Sequence, residues 1–554
     1  MPKRSIRNVR WSLSAIAPFW AAAAAYFVAC LVLGGGSREG FLGDVALQTM
    51  AVPLLLWAAW RLLDVPRAHG GGRVKWVLLL CLLAIALPAA QLVPLPPWVW
   101  TRLPGRTDFE GNLLAAGLQT GWLPLSLVPR ATWLSALALL PPMTVFLACL
   151  QLGYADRRRM SIVVLITGLT SVGVGLLQVA QGASSPLRFY AYTNTSEAVG
   201  FFANRNHYAA LLYCLVLMAA VWTVSAVGEF TRAGAKLRSR RSTPHLVAIV
   251  VSLTVVVILV GAQAMARSRA GLGLTTIALV GSFALAFLTS PNEAGEGAVD
   301  GRPARGAVRL LGAAVLVAIV FSSQFALYRI QDRFTVDPLT DARLPFARNT
   351  IEAAIAFMPF GSGMGTFVPV YQAFEKATDN VADFYTNRAH NDFLEFWLEA
   401  GLVALVVMAL FIVWVVGVLW RVWRHQLEGA GHTDRLLACA AGLMLVLLLA
   451  HSTVDYPLRT TALMSVFAWA VAMVIAPIGA HSPPAETKMG RRDHGARRSR
   501  SRTANAAAGD AALASDNQPA QSAAHETPRF DAAPAREDWP AAWRPATRPP
   551  STDD

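Results

Sequence analysis

Residues 401–420 read GLVALVVMALFIVWVVGVLW, twenty successive positions without a charged side chain. A helix rises about 1.5 Å per residue, so a stretch of this length covers the ~30 Å hydrocarbon core of a bilayer. Arg421 and Arg424 follow at once, and the same alternation of apolar run and basic block recurs along the first 480 positions. The whole chain is 55% hydrophobic and only 15% charged, where a soluble protein carries roughly a quarter charged residues. Its net charge of +14 lies in short blocks between apolar runs, which suits loops against anionic lipid rather than a nucleic-acid surface. The expected contacts are therefore membrane lipids and no nucleic acid.

Working outward, further spans are expected at Trp11–Leu33, Val45–Leu63, Val74–Val93, Ala131–Leu152, Ser161–Val179 and His207–Val227. Others follow at His245–Gln263, Ala270–Leu288, Val308–Tyr328, Leu436–Thr453 and Thr460–Ile478. Basic residues mark alternate loops: the N-terminus, Arg61 to Lys75, Arg157–Arg159, Arg232 to Arg241, Arg302 to Arg309, and Arg421 to Arg435. Basic loops stay cytoplasmic, which puts both termini inside. The expected fold is an all-α polytopic transmembrane helical bundle of about 12 spans. The first run, preceded by Lys3, Arg4, Arg7 and Arg10, reads as a retained helix rather than a cleaved signal. All five cysteines lie inside apolar runs, so helix packing is expected of them, not disulfides or a thiolate metal site.

Two long segments then fall outside: Pro94–Arg130 and the stretch of about 329–399. The second has helical patches at Thr350–Phe357, Phe367–Lys376 and Phe393–Ala400, and reads as a folded functional loop. Two parts are expected: residues 1–480 as the membrane domain, and 481–554 as a disordered cytoplasmic tail with a basic start.

Charge near hydrocarbon is costly and so informative. It gathers where spans meet the outer face. Asn204-Arg205-Asn206-His207 opens a span whose positive dipole end favours an anion; an ordinary cap with a snorkelling arginine accounts for it equally. Arg267-Ser268-Arg269 places two arginines in a tight outer turn, against the positive-inside trend, with lipid headgroups or a bound diphosphate as the compensating anion. In Arg388-Ala389-His390-Asn391-Asp392, Asp392 and Glu395 form an expected capping box, leaving His390 at a helix mouth. His451 and Asp455, four apart, are expected to neighbour each other, as a proton-transfer pair or as a structural one. Gly361-Ser362-Gly363-Met364-Gly365 has no preceding strand and reads as a flexible or tightly turned loop, not a nucleotide cradle. No outer acidic pair suggests a metal site.

These clusters resemble, in order, the O-antigen ligase and O-antigen polymerase family. The stretches that carry the resemblance are FFANRNHYAALL (201–212), ARSRAGLGL (266–274), RLPFARNTIEA (343–353), FGSGMGTF (360–367), RAHNDFLEFWLEAGL (388–402) and HSTVDYPLR (451–459). The resemblance implies a metal-independent, cofactor-free glycosyltransferase of the membrane-embedded C-type fold, in the bacterial inner membrane with its active face periplasmic. Its donor would be an undecaprenyl-diphosphate-linked glycan and its acceptor a hydroxyl of lipid A-core, a growing glycan or a protein. Arg205, Arg267 and Arg269 would hold the diphosphate, and His390, matching the family's loop histidine, would be general base. His207, Arg343, Arg348, Arg388, His451, Asp455 and Arg459 are further candidate substrate contacts. The rival reading is a transporter of envelope glycolipid or small solute. Carriers place polar groups near the midplane, often in repeated halves, whereas these lie at span ends.

Overall fold

The computed structural model describes residues 7–37, 42–64, 71–236, 243–287, 306–317, 320, 343–376, 386–425 and 427–478, without the side chains of 7–17, 71–73 and 232–236. The expected tail (481–554) lies outside these residues, as do 321–342 and 377–385 of the long loop.

The chain is helical, as its apolar runs dictate. In order come α1 (Arg7–Leu33), α2 (Leu42–Leu63), α3 (Gly71–Gln91), α4 (Pro97–Trp100), α5 (Thr107–Ala115), α6 (Pro129–Ala138) and α7 (Leu140–Leu150). Then follow α8 (Tyr154–Gln181), α9 (Arg205–Lys236), α10 (Thr243–Ala266), α11 (Arg269–Phe287) and α12 (Gly306–Val317). Last are α13 (Arg343–Ala356), α14 (Phe367–Phe374), α15 (Asp392–Arg424), α16 (His432–His451) and α17 (Thr461–Met473). Among the described residues nine helical stretches are long and apolar enough to cross a membrane, and 18–33, 306–317 and 461–473 are shorter apolar helices. One expected span, Ala131–Leu152, is two helices meeting at Leu139, where Pro141 and Pro142 open the second and supply no N–H to the first.

α9 forms the centre, buried over 94% of its most apolar stretch and packed by α8, α10, α11 and α16. Ala209, Ala210, Cys214, Ala219 and Ala220 are buried there; such small side chains let neighbouring helices approach closely. α15 is the opposite case, with Leu402, Val406, Leu410, Val413, Val416 and Trp420 exposed as a surface for lipid. The basic block 157–159 is only partly a lipid-facing surface. Arg157 is buried and donates to the carbonyls of Leu150 (3.1 Å), Leu152 (3.0 Å) and Ile475 (2.7 Å), satisfying chain ends beyond α7 and α17.

The described part of the long loop has its own core, built from Ala353, Phe357, Phe367, Val370, Tyr371 and Leu398 with Phe109 and Leu127 of the 94–130 segment. That segment closes through a two-residue antiparallel pairing of Pro94–Leu95 with Leu123–Pro124. Buried Arg106 is its rivet: the guanidinium lies over the Trp100 and Phe357 rings and donates to the Leu125 carbonyl, while burial lowers its pKa to about 10.

The loop is fastened to the bundle at a break in α15. Gly401 has φ 58° and ψ −133°, so the helix expected as a patch (393–400) and the expected span (401–420) are one kinked element. The carbonyls freed at the kink are taken up by the glycine loop: Ser362 N donates to Leu398 O and Gly363 N to Glu399 O, both at 3.0 Å. Gln91 of α3 adds Nε2 to Glu399 O, also at 3.0 Å. Residues 361–365 are thus a tightly turned loop that satisfies a broken helix.

Candidate active site

One end of the bundle collects the starts of α9, α11 and α15 and the ends of α10 and α16. His390 stands in the turn entering α15, with φ 51°. The cap is Asn391, whose Oδ1 accepts from Phe393 N and Leu394 N at 3.0 Å. This corrects the capping box expected of Asp392 and Glu395. With the cap filled by Asn391, both acids turn inward, and Asp392 accepts from Ser452 Oγ (2.7 Å) and Leu458 N (3.2 Å).

His390 Nδ1 lies 3.2 Å from Asp455 Oδ1; the imidazole side chain is 25% exposed and the carboxylate fully buried. Phe346 of α13 stacks on the imidazole (centroids 5.8 Å apart) and Tyr456 meets it edge-on at 4.9 Å. Asp455 also accepts from Asn206 Nδ2 and from Tyr456 N. Burial pushes its carboxyl up, but the His390 hydrogen bond and the imidazoles of His207, His390 and His451 outweigh that and hold it well below the usual carboxylate range.

The expected His451–Asp455 neighbours are joined by a backbone hydrogen bond, Asp455 N to His451 O, and their side chains interact electrostatically, with no side-chain hydrogen bond between them among the described residues. α16 ends at His451, and beyond it Asp455 turns toward the loop. His451 instead sets Nδ1 3.2 Å from Tyr213 Oη, deep in α9. His207 is fully buried and edge-on to Tyr456 at 4.9 Å, and among the described residues neither ring nitrogen has a hydrogen-bond partner. Arg343, one turn before Phe346, acts electrostatically on His451; Arg348 is exposed on α13.

Beside this lies a buried ionic knot. Arg388 Nη1 meets Glu395 Oε1 at 2.8 Å, and Arg459 Nη1 meets Glu399 Oε2 at 2.9 Å and Glu395 Oε1 at 3.5 Å. Arg459 Nε is 3.6 Å from Asp392. Burial opposes the Arg459 charge, yet the surrounding acids raise its pKa above the ordinary value. Two arginines expected as substrate contacts are thus engaged with internal acids that tie the loop's exit to the segment after α16.

Of the three arginines expected to hold diphosphate, Arg205 pairs with Glu197 (2.6 Å), Arg267 sits in the α10–α11 turn with φ 49°, and Arg269 is exposed as the first residue of α11. Their stretches meet: Ala198 N donates to Met265 O, and Asn206, next to Arg205, reaches Asp455. Sequence reasoning missed Glu197, Asn206, Phe346 and Tyr456, and read Glu395 only as a cap. Asn206, Phe346 and Tyr456 lay inside quoted motifs; nothing in the sequence marked Glu197.

Residues 246–409 match the family model described as O-antigen ligase. Over this stretch the chain is similar to the O-antigen ligase family. The matched stretch runs from α10 into α15 and includes Arg267, Arg269, Arg343, Arg348, Arg388 and His390. Arg205, His207, His451, Asp455 and Arg459 lie outside it; of these, Asp455 and His207 meet or act on His390 and Arg459 belongs to the ionic knot. No curated protein matches the chain.

Proposed function

We propose that this protein transfers a glycan from an undecaprenyl diphosphate carrier to an acceptor hydroxyl, at the periplasmic face of the bacterial inner membrane and with inversion of the anomeric carbon. The observation that carries this reading is the His390–Asp455 pair, a partly open imidazole held by a sealed carboxylate that also accepts from Asn206 at the arginine-bearing start of α9. Asp455 accepts a hydrogen bond from Nδ1–H, which fixes the tautomer whose Nε2 is free to act as base. Nε2 takes the acceptor's hydroxyl proton as the oxygen bonds to the anomeric carbon. The bond from that carbon to the diphosphate oxygen breaks, and its electron pair leaves with the diphosphate. Arg205, Arg267 and Arg269 stabilise the departing charge. His207, whose ring nitrogens are unsatisfied, offers a hydrogen bond to a sugar hydroxyl, and Arg343 and Arg348 line the approach. No step calls on a metal.

The acceptor is a hydroxyl on lipid A-core, a growing glycan or a protein. Deleting the gene and assaying lipopolysaccharide, free polysaccharide and glycoprotein separately identifies which loses its glycan. His390→Ala should reproduce that loss with the protein still inserted and expressed. Full glycan display by His390→Ala cells sinks the assignment of the base. Unchanged glycan in the deletion strain, with a small solute no longer crossing, sinks the enzyme in favour of a transporter.

A further inference from the structure

The turn that carries Arg267 and Arg269 rests on an amide with nothing to bond. Gln263, in the last turn of α10, is 2% exposed, and among the described residues neither its Nε2 nor its Oε1 has a hydrogen-bond partner. The space it occupies is made by a missing side chain. A Cβ at Gly271, in the first turn of α11, would stand 2.5 Å from Gln263 Nε2, 2.5 Å from the Ala209 Cβ of α9 and 2.9 Å from Ser268 Oγ. Ser268 Oγ already accepts from Gly271 N at 3.0 Å, so the local cap is complete without the amide. Burying an unbonded carboxamide is destabilising. Leucine or methionine would fill the same volume without that cost.

The surroundings name the ligand class. Ala209 lies one turn after Arg205, and Gln263 one turn before Arg267. The amide therefore sits where the starts of α9 and α11 meet the end of α10, at the base of the turn that carries Arg267 and Arg269. Two helix N-termini and the arginines of the turn favour an anion, and an amide N–H donates to one.

We propose that the Gln263 carboxamide is a further contact for the diphosphate of the lipid-linked donor, donating from Nε2 to a phosphate oxygen from the span side of the Arg267–Arg269 turn. This rests on the donor reading above and adds a residue to it.

The test uses the full chain in detergent, with undecaprenyl diphosphate bearing no glycan as the probe, read by thermal shift and by direct binding. Wild type should bind the probe. Gln263→Leu should melt no lower than wild type without lipid, because an unpaired amide is gone, while its affinity falls about tenfold, equivalent to about 1.4 kcal/mol. Gln263→Glu, placing a carboxylate where a phosphate docks, should bind more weakly still. Gln263→Leu that binds like wild type, while Arg269→Ala binds poorly, overturns the Gln263 contact and leaves the donor reading intact. Gln263→Leu that melts several degrees lower with unchanged binding shows a structural amide, and also overturns it. A wild-type chain that does not bind the probe removes the donor reading, and this contact with it.

Discussion

Asp455 reaches His390 across 65 positions of chain, from the segment beyond α16 rather than from within that helix. The carboxylate fixes the imidazole without sharing its exposure, so its effect should appear in turnover. Asp455→Asn presents either an amide N–H or a carbonyl to Nδ1, and the tautomer with a free Nε2 is no longer enforced. Transfer should fall by about 10²–10⁴-fold, the range for loss of a positioned base, with KM for the lipid-linked donor little changed. An equal loss in kcat and in the fraction of folded protein would mark Asp455 as structural only.

The same cluster sets the pH limits of stability. Asp455 titrates near about 4 when unfolded and lower when folded. Its stabilisation is complete above the unfolded value and is lost as pH falls toward the folded one. Tyr456 is raised to about 12, first by burial and then by the Asp455 charge. Its neutral form stabilises fully below the unfolded value of about 10, and that contribution disappears as pH rises from there. Melting temperature against pH should thus drop at both ends, with Asp455→Asn softening the acid limb and Tyr456→Phe the alkaline one. Unaltered limbs in both variants would mean that other groups govern them.

Arg459 is the counter-charge on which Glu399 and part of Glu395 depend. Arg459→Met leaves buried carboxylates short of a cation and should cost about 3–5 kcal/mol, read as lower yield and an earlier melt. Adding Glu399→Gln should restore part of the loss, because the orphaned charge goes with it. A single variant as stable as wild type would show that these acids are neutral in the folded protein.

The bundle was legible because hydrocarbon-length apolar runs admit few other structures, and because basic blocks punctuate them. The chemistry-bearing ends were legible because charge beside a membrane is rare. What the sequence hid was pairing. Arg388 and Arg459 looked like ligands for substrate because Glu395 and Glu399 read as an ordinary helix start. Spacing of four makes Asp455 the neighbour of His451, and nothing in it shows that the carboxylate also meets His390. Partners 60 or more positions apart, such as Arg459 and Glu399, leave no periodic trace.

Gly401 offers a clean test of how the loop is held. Its backbone lies where side chains are strained, and a Cβ there would stand 2.2 Å from the Pro359 carbonyl oxygen. Leu402 N donates to that same oxygen at 2.8 Å, so relief by moving Pro359 would also break the fastening. Gly401→Ala should cost about 1–3 kcal/mol from backbone strain alone. Hydrogen exchange should accelerate at Ser362, Gly363 and Leu402, and transfer should fall as His390 loses its footing. Gly417→Ala, on the same helix with nothing within 4 Å of the added methyl, should be neutral or stabilising by up to about 1 kcal/mol. Equal behaviour of the two variants would mean that the kink does not anchor the loop.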